Sequence, residues 1–155
     1  MNIVPVSPVE SRAREIIEAL DHELMGRYPG EPVHGIDVAE FEKSGGYFVL
    51  AQEGGSIVGC GAFRPIDPAC AEIKRMFIRP IARKKGYARR IIRHLEDEIR
   101  RRGFQGIVLE TGCNQPEAIA LYVAEGYFPI PPFGPYVGNA LSRCYAKNIG
   151  PVAGQ

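Results

Sequence analysis

A basic turn is the part of the chain whose residue types are best suited to bind phosphate. It reads Arg83-Lys84-Lys85-Gly86-Tyr87-Ala88 and lies between a short apolar run and a long segment of helical periodicity. The first N–H groups of a helix have no partner within the helix, and the helix dipole adds partial positive charge at that end. A glycine in such a turn lets the backbone approach a ligand closely. The turn therefore predicts a site for a phosphate-bearing ligand.

Hydrophobic periodicity predicts the elements that position this turn. The helix after it has one apolar face and ends at Gly103; that face contains Ala88, Ile91, Ile92, Leu95 and Ile99. Apolar runs predict strands at Ile3–Val6, Tyr47–Ala51, Ile57–Phe63, Ala71–Ile78, Gly106–Glu110 and Leu141–Lys147. Turns are predicted at 53–56 and 65–68. Further helices are predicted at Pro8–Met25, where Ser7 begins a capping box, at Asp37–Lys43, and from a cap near Asn114 as far as Gly126.

The order of these elements predicts the fold class. Helices come first, then antiparallel strands, then a strand–helix–strand–helix segment and a last strand. This order is typical of an α/β fold in which a mixed central β-sheet is flanked by helices in a single layered domain. The domain is predicted to span residues 1–149, followed by a short C-terminal tail at 150–155.

Composition excludes several classes of protein. The chain has 155 residues and a formal net charge of +1, so no global field favours nucleic acid or a membrane. The first residues lack the pattern of a signal peptide, and no apolar run has the length of a membrane span. We therefore expect a cytoplasmic protein. The basic residues of 83–102 are interrupted by acidic ones and lack a stacking platform, which disfavours nucleic-acid binding.

Cysteine and histidine spacing gives no indication of a metal site. The four cysteines form no C-x-x-C pair, and no histidine cluster accompanies them. We expect the cysteines to be buried thiols that act as small apolar side chains. A nucleophilic cysteine is the alternative. The cysteines are Cys60, Cys70, Cys113 and Cys144, and the histidines, read as structural or surface residues, are His22, His34 and His94.

The turn and its surroundings resemble the GNAT superfamily of acetyl-CoA-dependent N-acetyltransferases. The family signature [RQ]-x-x-G-x-[GA] is matched by 83–88, and Ala71-Glu72-Ile73 lies upstream of it. Asn114 and the run Leu121-Tyr122-x-x-x-Gly126 lie downstream. The resemblance covers roughly Tyr47–Lys147 and implies a GNAT-type sheet, with acetyl-CoA as co-substrate and no metal.

The resemblance also implies how acetyl-CoA is held. Backbone amides of 83–89 would bind the pyrophosphate, and main-chain groups of 76–78 would pair with the pantetheine arm and polarise the thioester carbonyl. Asn114 could hydrogen-bond the cofactor, although a helix cap would also explain it. The alternative for the basic side chains is that they form a solvent-exposed face and do not contact the cofactor. The predicted cofactor-binding residues are Met76, Phe77, Ile78, Arg83, Lys84, Lys85, Gly86, Tyr87, Ala88, Arg89 and Asn114.

Two residues are predicted to be catalytic by the same resemblance. Glu72 matches the glutamate base of histone-type members and would deprotonate the amine directly or through water. The alternative is an exposed strand-edge glutamate, or one paired with Lys74 or Arg75. Tyr122 would protonate the leaving thiolate, and the alternative is a core tyrosine. Strand alternation places Glu72 on one face with 74, 76 and 78, unless a bulge intervenes.

The predicted reaction is acetyl transfer from acetyl-CoA to the primary amine of a small molecule, by direct attack in a ternary complex. Phe133 and Tyr136, in a proline-rich loop, are predicted to line the acceptor pocket. Protein or peptide acetylation and a non-catalytic CoA-binding sensor are the alternatives. No membrane or nucleic-acid partner is expected, and a homodimer is possible.

Overall fold

The computed structural model describes residues 1–33 and 35–150 and has the predicted α/β architecture. The strands are β1 (Asn2–Pro5), β2 (Tyr47–Glu53), β3 (Ser56–Asp67), β4 (Cys70–Ile78), β5 (Gly106–Gly112), β6 (Phe128–Ile130) and β7 (Ser142–Asn148). The helices are α1 (Ser11–Arg27), α2 (Val38–Lys43), α3 (Tyr87–Arg101) and α4 (Pro116–Ala124). Single 3-10 turns lie at Pro80–Ala82 and Gly134–Tyr136.

The seven strands form one mixed sheet in the order β1-β2-β3-β4-β5-β7-β6. Every neighbouring pair is antiparallel except β4 and β5, which are parallel and joined through α3. Their register runs from Cys70↔Gly106 to Ile73↔Leu109 and ends there, although β4 continues to Ile78 and β5 to Gly112. The two strands therefore diverge in the middle of the sheet.

Helices cover both faces of the sheet and enclose two apolar clusters. One cluster joins the sheet to α3 and α4, and its α3 members are Ile91, Ile92, Leu95 and Ile99. The other joins the sheet to α1 and α2, through Ala13, Ile16, Leu20 and Phe41. The apolar face predicted for α3 is therefore confirmed, with Ala88 at its edge. Burial of these faces is what stabilises the helices, since short helices are marginal alone.

A bulge in β4 changes which side chains face each layer. Arg75 has a φ of 58°, and the register with β3 shifts between Cys60 and Ala62. Ile73 packs against the α3 side, and after the bulge Ile78 packs there too. Residues 72 and 74 therefore lie on the opposite face from 76 and 78. Simple alternation over the whole strand is wrong, for the reason that the bulge inserts an extra residue.

Several predicted boundaries are wrong. Helix α1 begins at Ser11, and its N-terminus has no side-chain cap. The hydroxyl of Ser7 instead accepts a hydrogen bond from the Val9 N–H and donates one to Glu42 in α2. Strand β3 continues through the predicted turn at 65–68 as far as Asp67. Strand β6 was not predicted, because three residues beside prolines carry too short a pattern.

None of the helices within the described ranges is both long and apolar enough to cross a membrane. The domain boundary at 149/150 stays a prediction, and residues 151–155 of the predicted tail lie outside the described residues, as does His34.

Candidate active site

The divergence of β4 and β5 opens a cleft of about 730 Å³ through the middle of the sheet. Strand β4 lines it from Glu72 to Ile78, and β5 contributes Glu110 and Thr111. The C-terminal half of α1, the start of α3 and the inner face of α4 form the remaining walls. A cleft of this size between splayed strands can hold an extended ligand with main-chain groups on either side.

The turn after β4 has the backbone geometry of an anion-binding loop. Lys84 and Gly86 both have positive φ, 65° and 79°, and Gly86 is the N-cap of α3. Successive turns of this kind direct N–H groups to one side, where the helix dipole reinforces them. A Cβ built on Gly86 would meet nothing within 4 Å, so the space in front of the loop is open. The loop therefore fits a diphosphate.

Glu72 lies at the centre of a buried hydrogen-bond network. It is 1% exposed, and its Oε1 accepts a hydrogen bond from Arg64 Nε at 3.0 Å. Its Oε2 accepts one from the Tyr136 hydroxyl at 2.8 Å and lies 3.7 Å from Lys74 Nζ. Lys74 Nζ in turn donates to the Tyr136 hydroxyl at 2.9 Å. The exposed strand-edge reading of Glu72 is therefore wrong.

Burial shifts the pKa values of the groups around Glu72. It raises the pKa of Tyr136, and the neighbouring carboxylate of Glu72 raises it further. It lowers the pKa of Lys74, and the carboxylate of Glu72 opposes that change. Tyr136 is accordingly a protonated phenol at neutral pH. It can pass a proton on only by giving its own proton to one partner while it accepts a proton from another.

Tyr122 lies on α4 and lines the cleft. It is 5% exposed and its ring packs edge-on against Tyr127, with ring centroids 5.9 Å apart. Burial raises the pKa of its phenol, and Glu110 adds to the increase. Within the described part of the chain, no residue hydrogen-bonds its hydroxyl. Tyr122 is thus a core tyrosine whose hydroxyl is available to a group in the cleft.

The comparisons with known proteins decide the family. The model of the acetyltransferase (GNAT) family matches residues 14–127. The chain belongs to the GNAT family. A protein from Azospirillum brasilense named IAA acetyltransferase is 38% identical over 150 residues, covering 96% of this chain and 98% of that protein. This GNAT is therefore an acyltransferase whose acyl donor is acetyl-CoA.

Solved structures agree with the fold. A protein from Klebsiella pneumoniae provisionally assigned as an acyl-CoA N-acyltransferase superposes with a TM-score of 0.80 at 28% identity, covering 95% of this chain and 96% of the other. A GNAT acetyltransferase from Elizabethkingia anophelis with acetyl-CoA bound superposes with a TM-score of 0.70 at 14% identity, covering 96% and 97%. At that identity the second likeness concerns the fold alone.

The GNAT cleft brings most of the predicted cofactor residues together. Those lining it are Met76, Phe77, Ile78, Arg83, Lys84, Gly86, Tyr87, Ala88 and Arg89. The side chain of Arg83 is already engaged, because its Nε donates to the Ile78 carbonyl at 2.8 Å and its Nη2 to Glu23 at 2.6 Å. It ties the loop to β4 and α1, which leaves the backbone of the loop to face a ligand.

Three predicted site residues do not line the cleft. Lys85 turns toward the β2–β3 hairpin, where its Nζ lies 3.7 Å from Glu53 Oε1. Asn114 does not cap α4, since Gln115 holds that position; its Nδ2 donates to the Arg27 carbonyl at 3.0 Å. Phe133 packs edge-on against Tyr136, with centroids 5.2 Å apart, and so supports the residue that lines the cleft.

Sequence reasoning missed Arg64 and Glu110. Arg64 is the direct cross-strand partner of Glu72 in the β3–β4 register, so its side chain lies on the same face. Glu110 faces the cleft from β5 and accepts a hydrogen bond from Ser142 at 2.6 Å. An acidic residue after an apolar strand run was visible in the sequence as a signal for Glu110. To predict that Arg64 contacts Glu72, one needs the register between β3 and β4. The sequence did not reveal that register, because β4 has a bulge and β3 is longer than predicted.

Proposed function

We propose that this GNAT acetylates the primary amine of a small molecule by direct attack on acetyl-CoA in a ternary complex. The observation that carries the proposal is one continuous cleft, which is lined both by the Gly86 loop and by the Glu72–Tyr136–Lys74 network. Donor and acceptor held in one cleft react as though in one molecule, which lowers the entropic barrier. The named Azospirillum relative, an acetyltransferase, supports this class of reaction.

The donor would lie along the open edge of β4. Amides around Lys84 and Gly86 would hold the pyrophosphate, because they end at a helix N-terminus with open space in front. Main-chain groups of 76–78 border the cleft where β5 has diverged, so they are available to the pantetheine arm and the thioester carbonyl. N–H groups aimed at that carbonyl stabilise the charge that develops on it during attack.

The proposed proton acceptor is Glu72, acting through Tyr136. Both carboxylate oxygens of Glu72 accept hydrogen bonds, so the amine proton reaches it most directly through the phenol that donates to Oε2. Arg64 forms an ion pair with Oε1 of Glu72 at 3.0 Å, which holds the carboxylate in place beside Tyr136. An amine with a pKa of about 10 must lose a proton before attack, which makes this step necessary near neutral pH.

The proposed partner of the leaving thiolate is Tyr122. Its raised pKa keeps the phenol protonated, so it can donate a hydrogen bond as the C–S bond breaks. The same shift makes it a weaker acid than free tyrosine. Stabilisation of the thiolate is therefore the larger part of its role, and the phenol would regain from solvent any proton that it gives to the thiolate.

Thiol release from acetyl-CoA tests the proposal. With a panel of small primary amines we expect amine-dependent release, and with acetyl-CoA alone we expect a raised Tm by linkage. Release only with a peptide or protein acceptor would assign protein acetylation instead. A raised Tm without release on any acceptor would assign a CoA-binding sensor.

A homodimer and a cytoplasmic location remain part of the proposal, to be checked by sedimentation and fractionation.

A further inference from the structure

Two consecutive cationic residues of β4 face the same side of the sheet. Alternation would send Lys74 and Arg75 to opposite faces, but the bulge at Arg75 prevents this. The Lys74 side chain reaches Tyr136, and the Arg75 side chain forms an ion pair with Asp21 of α1. Both residues line the cleft. The fold has therefore placed two positive charges next to the segment proposed to hold the thioester.

Both side chains are deeply buried. The side chain of Lys74 is 8% exposed and that of Arg75 is 3% exposed. Arg75 Nε is a buried donor with no hydrogen-bond partner among residues 1–33 and 35–150. Buried cations cost free energy unless anions and acceptors surround them. Arg75 lines the cleft, so a carboxylate bound there would add an acceptor beside this buried guanidinium group.

Asp21 pairs directly with Arg75, so Lys74 is the cation that the protein's carboxylates meet less closely. Glu72 Oε1 is held by Arg64 at 3.0 Å, and Lys74 approaches only Oε2, at 3.7 Å. Glu110 on the opposite strand also acts on Lys74 and offsets part of the positive potential. Burial is the main cause of the lowered pKa of Lys74; the Glu72 carboxylate opposes that change, whereas the nearby cations Arg64 and Arg75 add to it. An oxyanion in the cleft would be attracted to this position.

We propose that Lys74 and Arg75 bind a carboxylate of the acceptor, so that the acceptor is an amine that also carries an acid group, as amino acids do. The inference rests on the proposed function and narrows its substrate class. Lys74 and Arg75 directly precede the segment 76–78, so a carboxylate bound there would place a nearby amine beside the thioester. Lysine and arginine both bind carboxylates through charge-assisted hydrogen bonds.

The test compares matched acceptors and matched variants. Amino acids of increasing chain length (glycine, β-alanine, γ-aminobutyrate) and two with apolar side chains (leucine, phenylalanine) are assayed beside their carboxamides. We expect kcat/KM to be about 10- to 100-fold higher for at least one acid than for its amide, as a charged hydrogen bond implies. Lys74→Gln should remove that preference, and Lys74→Arg should retain it. Lys43→Gln, on an exposed position of α2, is the control.

The possible outcomes distinguish failure of the carboxylate site from failure of the proposed acetyltransferase reaction. Equal rates for every acid and its amide, or an unchanged preference in Lys74→Gln, would overturn it while leaving amine acetylation intact. A loss of both acids and amides in Lys74→Arg would overturn it too, because a lysine needed as a base would behave in that way. If no amine is turned over, calorimetry with the CoA-loaded protein decides: carboxylate-dependent binding lost in Lys74→Gln supports the site, and its absence overturns it.

Arg75→Asn supplies a second variant, because asparagine tolerates the positive φ that the bulge requires. Binding of the same acids should weaken in this variant, with binding of the amides unchanged. Equal weakening of both would show a general disturbance of the cleft and would count against a role for Arg75 in the carboxylate site.

Discussion

The hydroxyl of Tyr136 donates a hydrogen bond to Oε2 of Glu72 at 2.8 Å, although 64 residues separate them in the chain. The same hydroxyl accepts from Lys74 Nζ. Tyr136 therefore joins the proposed proton acceptor to the proposed carboxylate site. One residue of the loop after β6 thus contacts both parts of the proposed site.

The Tyr136→Phe variant removes the hydroxyl group and keeps the ring, so it tests the hydroxyl alone. We expect kcat to fall by about 10- to 100-fold, since proton transfer to a positioned group contributes at about this level or above. The KM for acetyl-CoA should be nearly unchanged, because the hydroxyl of Tyr136 contacts Glu72 and Lys74, neither of which belongs to the Gly86 loop. Steady-state kinetics checks both values. A wild-type kcat would show that the amine loses its proton by another route.

Tyr122→Phe should lower kcat by a similar factor and leave acetyl-CoA affinity unchanged. The hydroxyl has no hydrogen-bond partner in the described part of the protein, so its loss should change the free energy of unfolding little. Urea unfolding provides that control beside the kinetics. Unaltered turnover in a stable variant would remove Tyr122 from the reaction.

Glu72→Gln should shift the pH dependence of kcat/KM to higher pH, because the amide cannot accept the amine proton. Arg64 would lose its carboxylate, although it is partly exposed, and we expect a loss of about 1–3 kcal/mol in stability. Glu40→Gln, at an exposed position in α2, is the matched control. An unshifted profile in the folded variant would exclude Glu72 as the proton acceptor.

Gly86→Ala should weaken acetyl-CoA binding through the backbone. A Cβ there has open space, so the cost comes from the φ of 79°, and is about 1–2 kcal/mol. Gly103→Ala is a matched control at the other end of α3, where φ is 88° and a Cβ also meets nothing within 4 Å. Both variants should lose similar stability, but only Gly86→Ala should raise the KM for acetyl-CoA. Equal KM values would separate the loop from cofactor binding.

The preference for carboxylated acceptors should decline at alkaline pH. Burial lowers the pKa of Lys74 from its ordinary value of 10.5, so the ammonium form is lost at lower pH than in a free lysine. The ratio of kcat/KM for an acid and its amide should therefore fall with a midpoint below 10.5. The Lys74→Arg variant, whose side chain stays charged, should hold the ratio over the same range. A ratio independent of pH in both proteins would contradict the assignment.

The lowered pKa of Lys74 also makes the free energy of unfolding depend on pH. The unfolded chain binds a proton at Lys74 at pH values where the folded chain has released it. The free energy of unfolding contributed by this group therefore rises with pH, between the lowered pKa and 10.5. Lys74→Gln should remove that rise, and unfolding measured across pH would detect it.

Local sequence patterns determined most of the elements of this GNAT. The apolar face of α3, the hairpin between β2 and β3, and the loop around Gly86 each depend on residues near one another in the chain. Periodicity and backbone preference act over such distances, so these features could be predicted. The family resemblance rested on the same local runs and is confirmed.

Only the tertiary structure decided the partners of Glu72. The bulge at Arg75 turns two cations to one face, the β3–β4 register places Arg64 beside Glu72, and the loop after β6 delivers Tyr136. These contacts join segments far apart in the chain, and one residue of register changes every side chain's face. The sequence determined where the proposed cofactor loop lies, whereas packing between distant strands and loops decided which side chains surround the proposed acceptor site.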